Sequence, residues 1–336
     1  MFKYLLFVLA LAISWGNADA QFFNRMTMAQ RQELAAAKFN LPPILGDYYY
    51  VDSEDGSNNN SGLLPDQAYA SVESAYVKCD STAYDGIVLL KANGLGTAIS
   101  WQKDGITMIG VSRSASIINN SAGAGTGHYD SLATLITVSG DYNRFINISF
   151  VNSGSSAIAI TAVSITGTHN TVEGCNIVGG NATLGATGAV ADLLINGGDD
   201  NTIIDCVIGS DNIDRSIATV CGNIKFDGSC LRNQIIGCQT LQQTNDDDHC
   251  AIWLVDSAGI AGNQIFRDCL FTNYVASGAM QTLDFLVAGE KASVTGLIIL
   301  DQCRSVGWDS LSAASWDRVP VTSTVTSTAG GKAMYD

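Results

Sequence analysis

The sequence predicts an all-β solenoid with a period of about 31 residues and a short helical cap at its N-terminal end. The first observation is a cysteine repeat, with intervals of 31, 32, 31 and 34 residues between Cys175, Cys206, Cys238, Cys269 and Cys303. The second is an asparagine five or six residues before each of the first four cysteines. The third is a short apolar run in each interval. A fixed period of this kind is typical of solenoids, whose coils bury their apolar sides by stacking on their neighbours.

The composition fits strands and turns better than helices. The chain has 336 residues with 34 glycines, and 15% of its residues are charged, against about 25% in a typical soluble domain. The formal net charge is −15, with only 17 lysines and arginines. Because binding to phosphates requires clustered basic side chains, we expect no nucleic-acid partner.

Residues 1–20 have the pattern of a secretory signal. Lys3 precedes an apolar run from Tyr4 to Trp15, and Ala18–Ala20 offers a small-residue cleavage site. The alternative is a misassigned start, with translation beginning at Met26 or Met28. The first interpretation predicts a secreted protein, and the internal start is compatible with a virion-surface protein. The apolar run is short for a membrane span, so none is expected.

Residues 21–83 are expected to form an N-terminal helix and a capping segment. Thr27 and Gln30 form a capping box ahead of a helix that runs to Lys38. Tyr48–Val51 has the composition of a strand, and Tyr69–Cys79 has apolar residues at helical spacing. We expect this second helix to cover the first coil, whose strand edge and apolar cross-section would otherwise be exposed.

Residues 84–308 are expected to form the solenoid, and residues 309–336 a C-terminal cap or tail. Three short strands and three turns use about 31 residues, so about seven coils are expected. The first strands of the coils from residue 132 onward are predicted at Leu135–Val138, Val163–Ile165, Leu193–Ile195, Ile224–Phe226, Ile252–Val255 and Leu283–Val287.

The repeated cysteines predict a stack of buried thiols. In neighbouring coils they lie about 4.8 Å apart with parallel side chains, a direction that does not favour the disulfide torsion. We therefore expect them to act as small hydrophobic side chains. Cys221 and Cys250 differ, because they precede Asn233 and Asn263 by 12 and 13 residues. They occupy matching places in adjacent coils and are the candidates for a disulfide.

Two acidic segments are the main functional lead. Asp214 and Asp246 each lie eight residues after a cysteine of the repeat, so the loops 211–215 and 245–249 are expected to leave the same turn of adjacent coils. Carboxylate oxygens brought together in this way can bind Ca²⁺. The candidate ligands are Asp211, Asp214, Asp246 and Asp248.

The same crowding can raise the pKa of one carboxyl group and create an acid/base pair. The candidate catalytic residues are then Asp214, Asp247, Arg215 and His249. A solvated polar loop is the simplest interpretation of the two segments.

A glycan site beside these loops is a further possibility. Trp253 offers a surface for sugar stacking if its ring points outward, but the large area that aromatic side chains usually bury favours a core position. The candidate ligand-binding residues are Asp211, Asp246, Asp248, Trp253 and Asp256.

Several segments together resemble the pectin-lyase-like superfamily of right-handed parallel β-helices. They are residues 49–58, 65–75 and 85–90, and the coils with the pattern Asn-x-Ile-x-x-Cys. The first segments are especially similar to uncharacterised members among phage virion proteins. The resemblance covers roughly residues 47–306 and implies a right-handed parallel β-helix. It also implies a structural ladder of amides bonding the turns of adjacent coils, formed by Asn143, Asn170, Asn201, Asn233 and Asn263.

The resemblance leaves the activity open, because the superfamily includes polysaccharide lyases, glycoside hydrolases, tailspikes and non-catalytic adhesins. Its hydrolases carry paired Asp motifs with a Gly-His-Gly turn, which this sequence lacks. Its lyases use an Arg or Lys base near bound Ca²⁺ or an acidic site, and only Arg215 lies near the acidic loops. We therefore expect an extracellular or virion-surface structural protein that recognises a polysaccharide or cell-surface glycan. The alternatives are a lyase or hydrolase acting at the acidic loops, and a purely architectural homotrimeric fibre or spike.

Overall fold

A computed structural model of the chain describes residues 26–39, 41–120, 132–152, 160–179, 190–214, 221–244, 249–255, 261–274, 284–288, 296–308, 310–312 and 331–332. For residues 214, 221, 284–288, 310–312 and 331–332 it describes the backbone.

Two helices lie before the solenoid, as the sequence predicts. Helix α1 (Met28–Lys38) begins with the predicted capping box, in which the Thr27 side chain accepts from Gln30 N and the Gln30 side chain accepts from Thr27 N. Helix α2 (Val72–Lys78) is shorter than predicted, and a 3-10 turn spans Pro65–Gln67. Among the described residues, no helix has the length and apolarity that crossing a bilayer requires.

The strands form three stacked sheets, named I, II and III in the order in which a coil visits them. Sheet I contains β4 (Ile99–Trp101), β7 (Thr134–Val138), β10 (Thr161–Ile165), β13 (Ala191–Asn196), β16 (Cys221–Asp227), β19 (His249–Leu254), β22 (Asp284–Ala288) and β25 (Ser310–Ser312).

Sheet II contains β1 (Tyr48–Val51), β2 (Gly86–Leu89), β5 (Thr107–Gly110), β8 (Arg144–Ile146), β11 (Thr171–Glu173), β14 (Thr202–Ile204), β17 (Gln234–Ile236), β20 (Gln264–Arg267) and β23 (Ile298–Asp301). Sheet III contains β3 (Asn93–Gly94), β6 (Ile117–Asn119), β9 (Ser149–Val151), β12 (Asn176–Val178), β15 (Val207–Asp214), β18 (Gln239–Gln243), β21 (Leu270–Tyr274), β24 (Arg304–Val306) and β26 (Gly331–Lys332).

The register of these sheets confirms the all-β parallel solenoid and its period. In sheet II, Thr171 pairs with Thr202 and Thr202 with Gln234, which are steps of 31 and 32 residues. In the described residues the named strands pair in parallel, except that β26 runs antiparallel to β24. Each coil therefore contributes one strand to each sheet and pairs with the coil before and after it.

The cysteine repeat forms the predicted column of buried thiols. All five cysteines are at most 2% exposed and carry free thiols. The sulfurs also make hydrogen bonds, which a purely hydrophobic side chain could not make. The Cys206 sulfur accepts from Cys175 N at 3.4 Å and donates to Ile204 O at 3.2 Å. The thiol column therefore links the coils as well as filling the core.

The amide ladder is confirmed for four asparagines and corrected at the fifth position. The backbone N of each residue donates to the side-chain oxygen of the next residue, at 2.8–2.9 Å, in the series Asn143, Asn170, Asn201 and Asn233. The next acceptor is Gln264, whose Oε1 lies 3.2 Å from Asn233 N, and Asn263 is exposed. An extra residue between Asn263 and Cys269 shifts the motif by one position, so the longer glutamine takes the buried place.

Helix α2 covers the N-terminal end of the solenoid, as expected. The Tyr76 ring stacks on Trp101 of β4, with ring centroids 4.3 Å apart. The Lys103 ammonium donates to the last carbonyls of the helix, to Tyr76 O at 2.7 Å and Cys79 O at 2.6 Å. These contacts satisfy the carbonyls that a helix end leaves without partners.

Candidate functional site

Trp253 lies on the outer face of sheet I. Its neighbours Ile252 and Leu254 are fully buried, whereas Trp253 is half-buried. Because side chains alternate between the two faces of a strand, the indole points away from the core. The favoured core position was wrong, and the outward alternative is confirmed.

A cation and a carboxylate lie beside the indole. Trp253 pairs in register with Lys225 of the preceding coil, and the Lys225 ammonium lies 4.2 Å from the centre of the Trp253 ring. The same ammonium is 3.6 Å from Oδ2 of Asp227. We call Lys225, Asp227 and Trp253 the indole strip. The ammonium covers one face of the indole, and the strip combines the part of the ring that stays exposed with a donor and an acceptor, which is the chemistry that a sugar ring requires.

The predicted acidic loops fall largely outside the described residues. These are Arg215, Asp246, Asp247, Asp248 and Asp256, together with the side chain of Asp214. Asp211 is exposed on β15. The acidic residues therefore remain predicted ligands or catalytic groups.

The register of β15 alters the spacing argument for the two loops. Gly209 pairs with Leu241 but Asp214 pairs with Gln243, so β15 holds a bulge between Gly209 and Asp214. Although Asp214 and Asp246 each lie eight residues after a cysteine, the strand partner of Asp214 is therefore Gln243 and not Asp246. A bulge adds residues to one strand but none to the strand that it pairs with, and the spacing of the cysteines does not reveal such an insertion.

His249 is not a loop residue with an exposed imidazole. It is the first residue of β19, where it pairs with Cys221 within sheet I, and its side chain is fully buried. In the described part of the chain, no group of three His, Cys, Asp or Glu side chains could hold a metal ion. Of the four proposed Ca²⁺ ligands only the Asp211 side chain is described, so the calcium site stays a prediction.

The disulfide candidates are offset in register. Cys221 pairs with His249, and Gly222 pairs with Cys250, which is buried. The two cysteines are therefore one residue out of step on adjacent strands. The Cys221 side chain lies outside the described part, so the disulfide stays a prediction.

A second group of side chains, missed by the sequence analysis, lines the corner between sheets I and II. We call it the corner ladder; its members, one per coil, are Tyr84, Gly105, Tyr142, His169, Asp200 and Arg232. Backbone hydrogen bonds align successive coils here, for example from Tyr142 N to Thr168 O and from His169 N to Asp199 O, each at 3.0 Å. The signal was present in the sequence, because four members directly precede an asparagine of the amide ladder.

The side chains of the corner ladder contact one another along the solenoid axis. The Tyr142 and His169 rings stack with centroids 4.8 Å apart and an interplanar angle of 20°. His169 Nε2 lies 3.9 Å from Asp200 Oδ2. Arg232 donates from Nε and Nη2 to the two carboxylate oxygens of Asp200, at 2.7 and 2.6 Å. These hydrogen bonds hold the pKa of Asp200 below its usual value.

Carboxylates beside the corner ladder fix its backbone. Asp141 Oδ1 accepts from Thr168 N at 2.7 Å, and Asp199 Oδ1 accepts from Leu231 N at 2.8 Å. Each of these bonds links one coil to the next, one position before the exposed ladder residues. The exposed side chains are therefore presented from a hydrogen-bonded, rigid turn.

Comparison with known proteins identifies the fold. No protein-family model matches the sequence, and no curated protein matches it. Among solved structures, a pectate lyase is similar with a TM-score of 0.54 at 17% identity, over 76% of this chain and 62% of that one. The pectin methylesterase PemA from Erwinia chrysanthemi has a TM-score of 0.52 at 11% identity, over 82% and 92% of the two chains.

A pectin methylesterase mutant in complex with a hexasaccharide has a TM-score of 0.51 at 12% identity, over 79% of this chain and 80% of that one. The expected likeness to phage virion proteins finds no support in these three structures. Identities this low show the fold alone. The chain has the right-handed β-helix fold of pectin-lyase-like proteins.

Proposed function

We propose that the chain is an extracellular or virion-surface protein whose β-helix recognises a glycan at the indole strip. The main observation in support is that the indole of Trp253 points outward, with the Lys225 ammonium 4.2 Å from the centre of its ring. An aromatic ring covers the apolar face of a sugar, and the neighbouring charges bond its hydroxyl groups. The parallel sheet holds the three residues on rigid strands, which suits recognition of a stiff polymer.

The fold likeness supports a polysaccharide as the ligand class. The similar solved structures are a pectate lyase and pectin methylesterases, one of them with a bound hexasaccharide. The fold hosts many functions, so the argument rests on the side chains of this chain and takes only the ligand class from its relatives.

The test is binding to immobilised polysaccharides and cell-surface fractions, comparing the unaltered protein with Trp253→Ala. Leu194→Ala is the matched control, because Leu194 lies in the same row of sheet I, one coil before Lys225. We expect binding to be lost in Trp253→Ala and kept in Leu194→Ala. Failure of the unaltered protein to bind any polysaccharide or cell-surface fraction would contradict the proposal.

A catalytic function at the acidic loops is the second candidate, and the enzymes among the similar structures favour it. The proposed groups are Asp214, Asp247 and Arg215. A screen of acidic and neutral polysaccharides for unsaturated or reducing-end products tests it. Products that persist unchanged in Asp214→Ala and Asp247→Ala would remove the site assignment. Light scattering tests the third candidate, an architectural homotrimer.

A further inference from the structure

We propose that the corner ladder is a second glycan-binding site, which takes a neutral linear polysaccharide lying along the solenoid axis. The inference rests on the proposed function for its ligand class, but it uses a different part of the molecule. The indole strip lies on the outer face of sheet I, whereas the corner ladder lies at the corner between sheets I and II.

The backbone of the corner ladder gives the first argument. Its five residues with side chains all have positive φ, between 52° and 58°: Tyr84, Tyr142, His169, Asp200 and Arg232. This left-handed conformation favours glycine, and it is tolerated best by Asn, Asp and His. Gly105, with a φ of 69°, and also His169 and Asp200 follow these preferences, whereas Tyr84, Tyr142 and Arg232 do not. Tyrosine and arginine at such positions keep a strained backbone, a feature that clusters at functional sites.

The opposite corner, between sheets II and III, provides the comparison. There the residues with positive φ are Asn147, Gly174, Asp205, Gly237, Asp268 and Gln302. These are glycines and short or polar residues, as the backbone alone favours. The two corners share the same backbone conformation and the same coil spacing. The rings of the corner ladder are therefore not explained by the needs of a turn.

Exposure gives the second argument. Tyr84 is 50% exposed and Tyr142 61% exposed, and both are large hydrophobic residues. The ring of Tyr84 lies directly over Gly105, within 2.7 Å of the position that a Cβ would take. One face of the Tyr142 ring is covered by the His169 ring. Because Gly105 has no side chain, the Tyr84 ring fills the space above it, and both tyrosines keep exposed surface that a ligand can contact.

The spacing and the polar groups define the ligand. Successive members lie about 4.8 Å apart, so the five steps from Tyr84 to Arg232 span about 24 Å. This repeat is close to the length of one sugar unit in an extended chain. The tyrosines provide the apolar contact at one end, and the Asp200 and Arg232 pair provides acceptors and donors for adjacent hydroxyl groups at the other.

The charges favour a neutral chain over a uronate polymer. Asp104, Asp141 and Asp199 each precede a member of the corner ladder, and Asp200 belongs to it. Asp200 accepts two hydrogen bonds from the guanidinium of Arg232 and neutralises its charge, so the pair offers no net positive charge to a uronate carboxylate. A net charge of −15 adds to the negative potential of the corner. A polyanion is therefore repelled, whereas a neutral polysaccharide meets no such cost.

The experiment is affinity gel electrophoresis of the full chain in gels containing hydroxyethyl cellulose, soluble xylan or polygalacturonate. The variants are Tyr142→Gly and Tyr84→Gly, because glycine suits the local backbone and removes only the side chain. Asn147→Gly is the matched control at the opposite corner, with a φ of 56° in the native chain. The urea midpoint is measured for each, and Tyr142→Asn serves as the second variant if Tyr142→Gly unfolds.

We expect a neutral polysaccharide to retard the native chain, and Tyr142→Gly to bind it about tenfold more weakly, an effect typical of one lost aromatic contact. Asn147→Gly is expected to bind as the native chain does. Retention by polygalacturonate alone, or equal binding by Tyr142→Gly and Asn147→Gly, would overturn the inference.

Trp253→Ala separates this inference from the proposed function. Loss of binding in Trp253→Ala with full binding in Tyr142→Gly would overturn the corner ladder and leave the indole strip in place. Loss in Tyr142→Gly with full binding in Trp253→Ala would support the corner ladder and contradict the indole strip. Loss in both variants, with Leu194→Ala and Asn147→Gly unaffected, would support two sites on one polysaccharide.

Discussion

Arg232 and Asp200, which lie on adjacent coils, form a two-point ion pair. The guanidinium donates from Nε to Oδ1 at 2.7 Å and from Nη2 to Oδ2 at 2.6 Å. Both residues have left-handed backbone conformations, so the pair joins equivalent turns of two coils. The geometry matches the planar fork that makes arginine selective for carboxylates.

The pair predicts a shift in the titration of Asp200. With Arg232→Gln, we expect the pKa of Asp200 to rise toward its usual value, because the guanidinium that stabilises the carboxylate is gone. The check is a carboxyl NMR titration. Arg144→Gln is the control, since Arg144 pairs with Glu173 on another part of the surface. An unchanged Asp200 titration in Arg232→Gln would contradict the ion pair.

The same pair also predicts the sign of a pH effect on stability. The pKa of Asp200 is lowered in the folded chain, so the stabilisation is present above the unfolded-state pKa of about 3.9 and is lost as the pH falls through the folded value. Arg232 is exposed, so the effect is small and screened by salt. The stabilities of the native chain and Arg232→Gln should therefore converge in acid. A difference that grows toward low pH would contradict this assignment.

The buried hydrogen bonds of Gln264 predict that its substitution lowers the free energy of unfolding far more than substitution of the adjacent Asn263. Gln264 Oε1 accepts from Asn233 Nδ2 at 2.9 Å, and Gln264 Nε2 donates to Cys230 O at 2.9 Å. Gln264→Ala leaves these buried groups without partners, so we expect a loss of about 1–3 kcal/mol in the free energy of unfolding. Asn263→Ala, the matched control at the exposed neighbour, should change it little. Urea unfolding measures both, and equal effects would contradict the register.

The spacing of the cysteines and asparagines predicts some features of the fold and not others. It predicts the solenoid, its period and the buried thiols, because a stacked core requires coils of nearly equal length. It failed where a coil has an extra residue, as between Asn263 and Cys269, and where β15 carries a bulge. Such insertions change the register without leaving a hydrophobic signal.

The candidate site was only partly predictable, for a different reason. The alternation of Ile252, Trp253 and Leu254 predicts an outward indole, whereas the general tendency of large aromatic side chains to be buried predicts a core position. The corner ladder has no repeated residue type by which the sequence could reveal it, unlike the asparagines that follow four of its members. The side chains of its members differ in chemistry, and only the shared left-handed backbone marks Tyr142 and Arg232 as equivalent.

Lys103 predicts that the N-terminal cap depends on one ammonium group. It donates to three carbonyls at the end of α2, and it lies 5.0 Å from the centre of the Tyr76 ring. Lys103→Met keeps the length of the side chain but removes these bonds, and we expect a loss of about 2 kcal/mol in the free energy of unfolding. Lys78→Met, at the last residue of α2, is the control and should have a small effect. Similar losses in both variants would show that general charge near the helix end matters more than these hydrogen bonds.

Cys230 predicts a loss of stability in alkaline solution. Its thiol is fully buried, donates to Asp227 O at 3.2 Å, and has a pKa that burial raises to about 11. Because the folded pKa lies above the unfolded one, the stabilisation is complete below pH about 9 and is lost as the pH rises toward 11. The slope is at most about 1.4 kcal/mol per pH unit. Cys230→Ala should flatten the stability curve in this range relative to the native chain.

The control for this prediction is Val172→Ala, which removes buried volume without removing a titrating group. It should lower the free energy of unfolding by a similar amount at every pH, because a cavity does not bind protons. Other thiols and tyrosines titrate equally in all three proteins, so only the differences between the curves carry information. Urea unfolding from pH 7 to 11 gives these differences. Parallel curves for the native chain and Cys230→Ala would mean that the Cys230 thiol does not have a raised pKa in the folded state.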